Sequence, residues 1–270
     1  MLTRTHALAR RLRALRGDAT LRASEGVFVA EGVHLALEAL TSGATIEAAV
    51  VSPRLSTSAE GLDLAHRLRA AGIELHESSN ATLDALQDAR SPQPVVLVVR
   101  REPPALSAVL AGRGGMPLLV VACGVQEPGN VGALWRTADA AAATGFVTTA
   151  GCASLTHPRA VRASMGAIFR LPAVQVSVDD VLGEVHGRRL TLVGADARGA
   201  VDYDTADWGQ PLALFLGGEG AGLPPEVLSR LHQRVAVPMA PGVESLSVNA
   251  AAAVLLFAAA LKRGTISRVG

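Results

Sequence analysis

Short apolar runs that give way to glycine-bearing turns, and then to helical periodicity, restrict this chain to one class of architecture. Pro117 to Cys123 is a continuous apolar run without the alternation of a half-exposed strand, and it reads as a strand covered on both faces, the habit of parallel sheets. Gly145 to Thr149 and Leu212 to Leu216 read as further strands. Arg188 to Ala195 and Arg234 to Val237 read as two more strands, and Asn130 to Ala143 as a helix. The last helix runs from about Ser245 to Lys262, with Ser at its start and Lys-Arg-Gly at its end. Strands interleaved with helices imply an α/β fold.

The first hundred residues repeat the alternation on a smaller scale. Thr5 to Arg16 places Leu8, Leu12 and Leu15 on one helical stripe. Strands are read at Gly26 to Ala30, Thr45 to Ser52, Ile73 to His76 and Val95 to Arg100, and helices at Gly32 to Leu40, Glu60 to Ala71 and Ala81 to Gln87. Arg101-Glu-Pro-Pro and Ala111-Gly-Arg-Gly-Gly115 continue no element. The organisation read from sequence is therefore a small α/β domain over 1–100, a linker over 101–116 and a larger α/β domain over 117–270.

Composition removes several classes of function. With 49% hydrophobic and 18% charged residues and a net charge of +1, the chain is not a charge-driven disordered protein. Cys123 and Cys152 are too far apart for a C-x-x-C motif and point to a reducing compartment. The longest apolar run, Val248 to Leu261, contains Asn249 and falls short of the ~20 residues that span a bilayer. The N-terminus lacks the apolar core of a signal peptide; an Arg-rich transit peptide is the alternative reading of the same residues. A soluble, cytoplasmic protein with no membrane partner is expected.

Charge is informative in place. All the basic residues but Lys262 are Arg, and residues 1–22 set Arg4, Arg10, Arg11, Arg13, Arg16 and Arg22 against Asp18 alone. Clustered guanidinium forks suit phosphate oxygens and nucleic acid. A solvated helix face, or a codon bias toward Arg, explains the same residues.

Three loops between strands and helices carry the chemistry, since ligands of open α/β sheets bind at the carboxyl ends of the strands. The first is Gly124-Val-Gln-Glu-Pro-Gly-Asn-Val-Gly-Ala-Leu-Trp-Arg-Thr-Ala138, the second Leu214-Phe-Leu-Gly-Gly-Glu-Gly-Ala-Gly-Leu-Pro-Pro225, the third Val235-Ala-Val-Pro-Met-Ala-Pro-Gly-Val-Glu-Ser-Leu-Ser-Val-Asn249. The second has no Lys to make it a P-loop, and Leu223 stands where a dinucleotide fingerprint needs its third Gly. G-x-S-x-G is absent, so there is no nucleophile elbow. Individually the loops also read as an N-cap with a surface Arg, a flexible turn, and a Ser-capped core helix.

In this order and spacing the three resemble the motif set of the SpoU-type RNA ribose methyltransferases, of the trefoil-knotted SPOUT class. That family carries N-x-G-x-x-x-R-T-A, then G-x-E-x-x-G-L, then I-P-M followed by S-L-N-V-S. The matching residues are Asn130, Gly132 and Arg136-Thr-Ala138; Gly217, Glu219 and Gly222-Leu223; Val237-Pro-Met239 and Ser245-Leu246. His157 to Pro172 is similar to the family's segment between the first two motifs, and Arg13…Phe28-Val-Ala-Glu-Gly32 to its small RNA-binding domain. The third motif departs: this chain reads Ser245-Leu-Ser-Val-Asn249. On a helix from Ser245 the displaced Asn249 lies about 200° away from position 247. Ser247 is therefore expected to supply the hydrogen-bonding group there, with Asn249 pointing elsewhere.

The resemblance implies a knotted, mostly parallel C-terminal sheet with flanking helices, preceded by a smaller RNA-binding domain. It implies S-adenosyl-L-methionine as cofactor, held by Leu216, Gly217, Val237, Met239, Ser245 and Leu246, with Arg136, Asn130, Glu219 and Ser247 as catalytic residues. Arg10, Arg11, Arg13, Arg159 and Arg162 become the RNA contacts, and the chain a homodimer. No metal is expected, because no His stands in ligand spacing with another His or Cys. The implied reaction is methylation of a ribose 2′-hydroxyl, in ribosomal RNA of the large subunit ahead of transfer RNA. A non-catalytic RNA-binding paralogue would accommodate the altered third motif. A dinucleotide-dependent oxidoreductase lacks its Gly fingerprint.

Overall fold

The structure, a computed structural model, describes residues 1–88 and 91–267. Two compact units emerge: Met1–Glu102 with Thr156–Phe169, and Pro103–Leu155 with the residues from Arg170 on.

In the first unit, α1 (Ala7–Gly17) starts where His6 Nδ1 accepts the Leu8 amide, and it buries Ala9, Leu12 and Leu15. α2 (Ala19–Glu25) is capped by Asp18, which accepts from the Leu21 amide at 3.0 Å. Then come β1 (Val27–Glu31), α3 (Val33–Thr41), β2 (Ile46–Val51), a 3-10 turn (Pro53–Thr57), α4 (Ala59–Ala70), β3 (Leu75–Glu77), α5 (Asn80–Asp84) and β4 (Val95–Arg100). The sheet order is β1-β4-β2-β3. β4 is antiparallel to both of its neighbours, and β3 is parallel to β2. Leu12 and Leu15 join Val27, Val29, Val50, Val96 and Val98 in one core. The expected alternation is present; α2 is an addition.

The chain continues through α6 (Leu106–Ala111), β5 (Leu118–Cys123), α7 (Pro128–Ala140), β6 (Gly145–Thr149), α8 (Pro158–Ala163), α9 (Ala167–Arg170), β7 (Ala173–Val176) and α10 (Val178–Gly187). It ends with β8 (Thr191–Ala195), β9 (Val201–Asp202), β10 (Leu212–Gly217), α11 (Pro225–Leu228), β11 (Gln233–Ala236) and α12 (Val248–Arg263). Residues 106–111, inside the segment read from sequence as a linker, form α6 with Val109 and Leu110 buried. Gly145 permits this: a Cβ there would lie 2.5 Å from the Val109 carbonyl oxygen. α8 packs against β1 of the first unit.

The second unit is built on a seven-stranded sheet, order β7-β6-β5-β10-β8-β11-β9, with every pairing parallel. β5 and β10 are buried along almost their whole length, as their unbroken apolar sequences require. From β5 the chain steps outward through β6 to β7, whereas β10 leads to strands on the other side. The β5–β10 boundary is therefore the topological switch point where a ligand crevice opens. β10 also enters between β5 and β8, both of which precede it in the chain. No described helix is long and apolar enough to cross a membrane.

Candidate active site

Backbone packing at the switch point leaves no room for side chains. Gly218 follows β10, and a Cβ there would lie 2.2 Å from the carbonyl oxygen of Gly124, the residue that ends β5. A Cβ on Gly217 would meet the Gly222 carbonyl carbon at 2.2 Å, so the glycine expected to admit a cofactor also admits the chain's own returning loop. Gly222 N donates to Gly218 O at 3.1 Å, and Gly220, with φ +81°, makes the reversal. Glu219 is thereby held exposed on a tight turn.

α7 starts at Pro128, and Glu127 accepts from the Gly129 amide. In its first turn Asn130 Nδ2 donates to Glu219 Oε1. Asn130 Oδ1 in turn accepts from Asn249 Nδ2 at 2.8 Å. The three side chains form one hydrogen-bonded row joining the first, second and third loops.

Asn249 thus lies where the sequence reading did not put it. α12 begins at Val248, not Ser245, and Ser247 is its N-cap, accepting from the Ala250 amide at 3.3 Å. Positions 245–247 are extended loop, so helical angles do not apply to them. Ser247 Oγ is turned to its own helix, and Asn249 on the first turn reaches Asn130.

Arg136 stands further along α7, exposed and without a hydrogen bond or ion pair among the described residues. Its helix is rigidly held. The neighbouring Trp135 is fully buried, donates its indole N–H to Leu171 O at 3.0 Å and stacks on Phe146. Asp139 takes Arg113 on one carboxylate oxygen and Arg170 on the other, each at 2.8 Å. A permanently charged guanidinium is presented from a fixed base.

The loop over 237–247 has the make-up of a nucleoside-binding cradle. Its main chain makes one internal hydrogen bond, Val243 N to Ala240 O, and Ser247 O accepts from Ala251 N; the remaining amides and carbonyls have no backbone partner among the described residues. Val237 and Met239 are half-buried, Ser245 is exposed, and Leu246 is 41% exposed beside Val243 at 50%. Unpaired main-chain groups beside apolar side chains fit a ligand with an adenine ring and polar substituents. Leu216 lies one residue before Gly217 at the end of β10 and is buried, a wall rather than a contact surface.

Burial pushes the Cys123 thiol pKa up to about 12 and also raises that of Cys152. No group of three or more metal-ligating side chains gathers among the described residues.

The arginines expected to contact RNA fall into two sets. Arg10 and Arg13 are exposed, and Arg13 donates only to backbone carbonyls, those of Ala9 and Arg4. Arg159 is exposed as well. Arg11 is held between Glu25 and Glu47, each at 2.7 Å, and Arg162 is paired with Glu31 at 3.1 Å.

Comparison with known proteins agrees with this architecture along the whole chain. The model of the SpoU rRNA Methylase family matches residues 117–257, and that of the MRM3-like substrate binding domain matches residues 9–97. An uncharacterised tRNA/rRNA methyltransferase of Synechocystis is 30% identical over 92% of this chain and 89% of its own length. The 23S rRNA (uridine(2479)-2′-O)-methyltransferase of Streptomyces viridochromogenes is 28% identical over 97% of this chain and 92% of its own. The crystal structure of the SpoU methyltransferase AviRb from the same organism, in complex with AdoMet, superimposes with a TM-score of 0.85 at 29% identity. It covers 96% of this chain and 100% of that one. By family model, by sequence along nearly its full length and by fold, the chain belongs to the SpoU rRNA methylase family.

Proposed function

We propose that this chain transfers a methyl group from S-adenosyl-L-methionine to a ribose 2′-hydroxyl of large-subunit ribosomal RNA. The observation that carries the reading is the Asn130–Glu219–Asn249 row at the switch point, with Arg136 on the same helix as Asn130 and unpaired among the described residues. The names of the relatives supply the substrate class.

When bound, S-adenosylmethionine would supply a cationic methyl group for in-line displacement, in which the S–CH3 bond breaks as the O–CH3 bond forms, neutral S-adenosylhomocysteine leaves and the 2′-hydroxyl proton is lost to solvent. The main chain of 237–247 and the ends of β10 hold it, with Met239 and Leu246 as apolar contacts. Arg136 serves as a cation and not as a base, since a guanidinium offers five N–H donors and no acceptor. It grips the phosphate beside the target ribose and orients the hydroxyl toward the methyl group, which is where positioning supplies rate. Asn130 and Glu219 fix the geometry of the two loops that frame it.

The first unit supplies the RNA address, through Arg10, Arg13 and Arg159, with 1–100 joined by the 156–169 segment as substrate domain and the rest of 117–270 as methyltransferase domain. RNA modules of this kind read folded shape and single-stranded loops. A knotted C-terminal third is supported by the entry of β10 between two earlier strands. A homodimer in the cytoplasm completes the reading. Its support is a stripe on α12, Ala250, Val254, Phe257 and Leu261, spaced as one helical face, with Phe257 39% and Leu261 68% exposed.

The test is transfer of labelled methyl from S-adenosylmethionine to unmodified total RNA, followed by size separation and alkaline hydrolysis. A 2′-O-methyl group blocks alkaline cleavage at its own phosphodiester. Label in alkali-resistant dinucleotides of large-subunit RNA is the expected result. Label confined to transfer RNA overturns the substrate, and no label at all overturns the reaction.

A further inference from the structure

The geometry points to Asn249 as a positioning residue of the reaction: it sets the direction of the Asn130 amide and, through it, the Glu219 loop. This rests on the methyl-transfer reading above. The direction of the row follows from its chemistry. A carboxylate only accepts, so Asn130 must offer Nδ2 to Glu219 Oε1. Its Oδ1 then faces the other way and needs a donor, which Asn249 Nδ2 supplies at 2.8 Å. Asn249 Oδ1 is left over, buried and without a partner.

That orphan acceptor is the informative atom. Buried polar groups are normally satisfied, and leaving one unpaired costs free energy. Rotating the Asn249 amide would set its Oδ1 against Asn130 Oδ1, oxygen to oxygen, and relieving that clash by rotating Asn130 as well would turn its donor away from Glu219. The fold keeps the unsatisfied acceptor and preserves the direction of the row. Ser247, the residue at the expected position, contributes nothing to the row because its hydroxyl caps α12. The exchanged order of Ser and Asn in the third motif is therefore answered by the late start of the helix.

Asn249→Asp tests the direction with almost no change of shape. It substitutes an acceptor for the donor facing Asn130, and an acid in the first turn of α12 suits the helix dipole, so the variant is expected to fold. We expect its kcat to fall by about tenfold or more, with KM for cofactor and for RNA within about twofold of the parent. Asn249→Ser, which cannot reach Asn130, should fall similarly. The second readout needs no turnover: the Asn130 side-chain amide pair in a 15N-resolved NMR spectrum, identified by its loss in Asn130→Asp. It should move in both Asn249→Asp and Glu219→Gln. An unchanged kcat, a rise in KM alone, or an Asn130 amide pair indifferent to Asn249→Asp would overturn the assignment. If the parent protein methylates no RNA, the activity reading fails, and the NMR result still decides whether Asn249 directs Asn130.

Discussion

Arg162 Nη1 lies 3.1 Å from Oε2 of Glu31, which pairs a part-exposed guanidinium with a carboxylate only 2% exposed. Burial dominates at Glu31 and raises its pKa above the ordinary 4.5, although the Asp88 amide and Arg162 both pull it down. The folded chain therefore binds the proton more tightly than the unfolded chain. Stability from this site is complete below pH 4.5 and declines as pH rises through the raised value. Glu31→Gln should flatten that decline, read as denaturant unfolding free energy between pH 4.5 and neutrality; an unchanged slope would place its source elsewhere.

Two glycines of one turn should respond differently. Gly218→Ala sets a Cβ 2.2 Å from the Gly124 carbonyl oxygen, and backbone cannot rotate away. A loss of about 2–3 kcal/mol is expected, with most of the activity. Gly220→Ala meets nothing within 4 Å and bears only its φ of +81°, a cost of about 1–2 kcal/mol. Thermal unfolding of the pair, with turnover, checks the order.

Arg263 closes the opposite end of the sheet. Its Nε donates to Trp208 O at 2.7 Å, Nη1 to Met116 O and Pro117 O, and Nη2 to Gln210 O, beside the starts of β5 and β10. Burial lowers its pKa, and no carboxylate pairs with it among the described residues. Arg263→Ala should cost about 2–4 kcal/mol by stranding those carbonyls, and Arg263→Lys should recover little, because an ammonium cannot span them. Equal stability of Lys and Arg in urea unfolding would contradict the span argument.

Arg136→Ala should separate function from stability. The side chain is exposed and unpaired within the chain, so the melting temperature should stay within about 2 °C of the parent, while turnover falls about a hundredfold or more. Cofactor affinity, by calorimetry, should hold. A matching loss of stability would make the residue structural.

Arg10→Ala with Arg13→Ala should weaken RNA binding and flatten its dependence on salt, since both guanidinium groups are exposed without a carboxylate partner. Arg11→Ala should act on stability instead, through Glu25 and Glu47. Filter binding across a salt series distinguishes the two.

The central sheet was legible because β5 and β10 are unbroken apolar runs, and local sequence records burial on both faces. The start of α12 was not, since Ser245 and Ser247 offer the same cap chemistry and only the tertiary course of 237–247 selects the second. α10 had a signal that went unread: Ser177 caps the helix by accepting from the Asp180 amide, while its hydroxyl donates to Asp180. Arg11 and Arg162, which the resemblance marks as RNA contacts, also carry ion pairs that the sequence does not announce. Their partners Glu47 and Glu31 are distant in sequence, and one-dimensional clustering carries no trace of them. The same holds for Asn249, whose partner Asn130 lies on another helix.

The position of β10 also sets the order in which the molecule can come into being. β5 is finished at Cys123, but its neighbour on the β10 side does not exist until Gly217 has been made. At roughly 5–20 residues per second on the ribosome, β5 and β8 wait several seconds with facing edges open and apolar. Strands in that condition are prone to pair with other chains. Only after β10 has filled the gap can Glu219 meet Asn130, and only after the first turn of α12 can Asn249 join them. The row of Asn130, Glu219 and Asn249 is therefore complete only after the last helix has begun, later than every strand of the sheet.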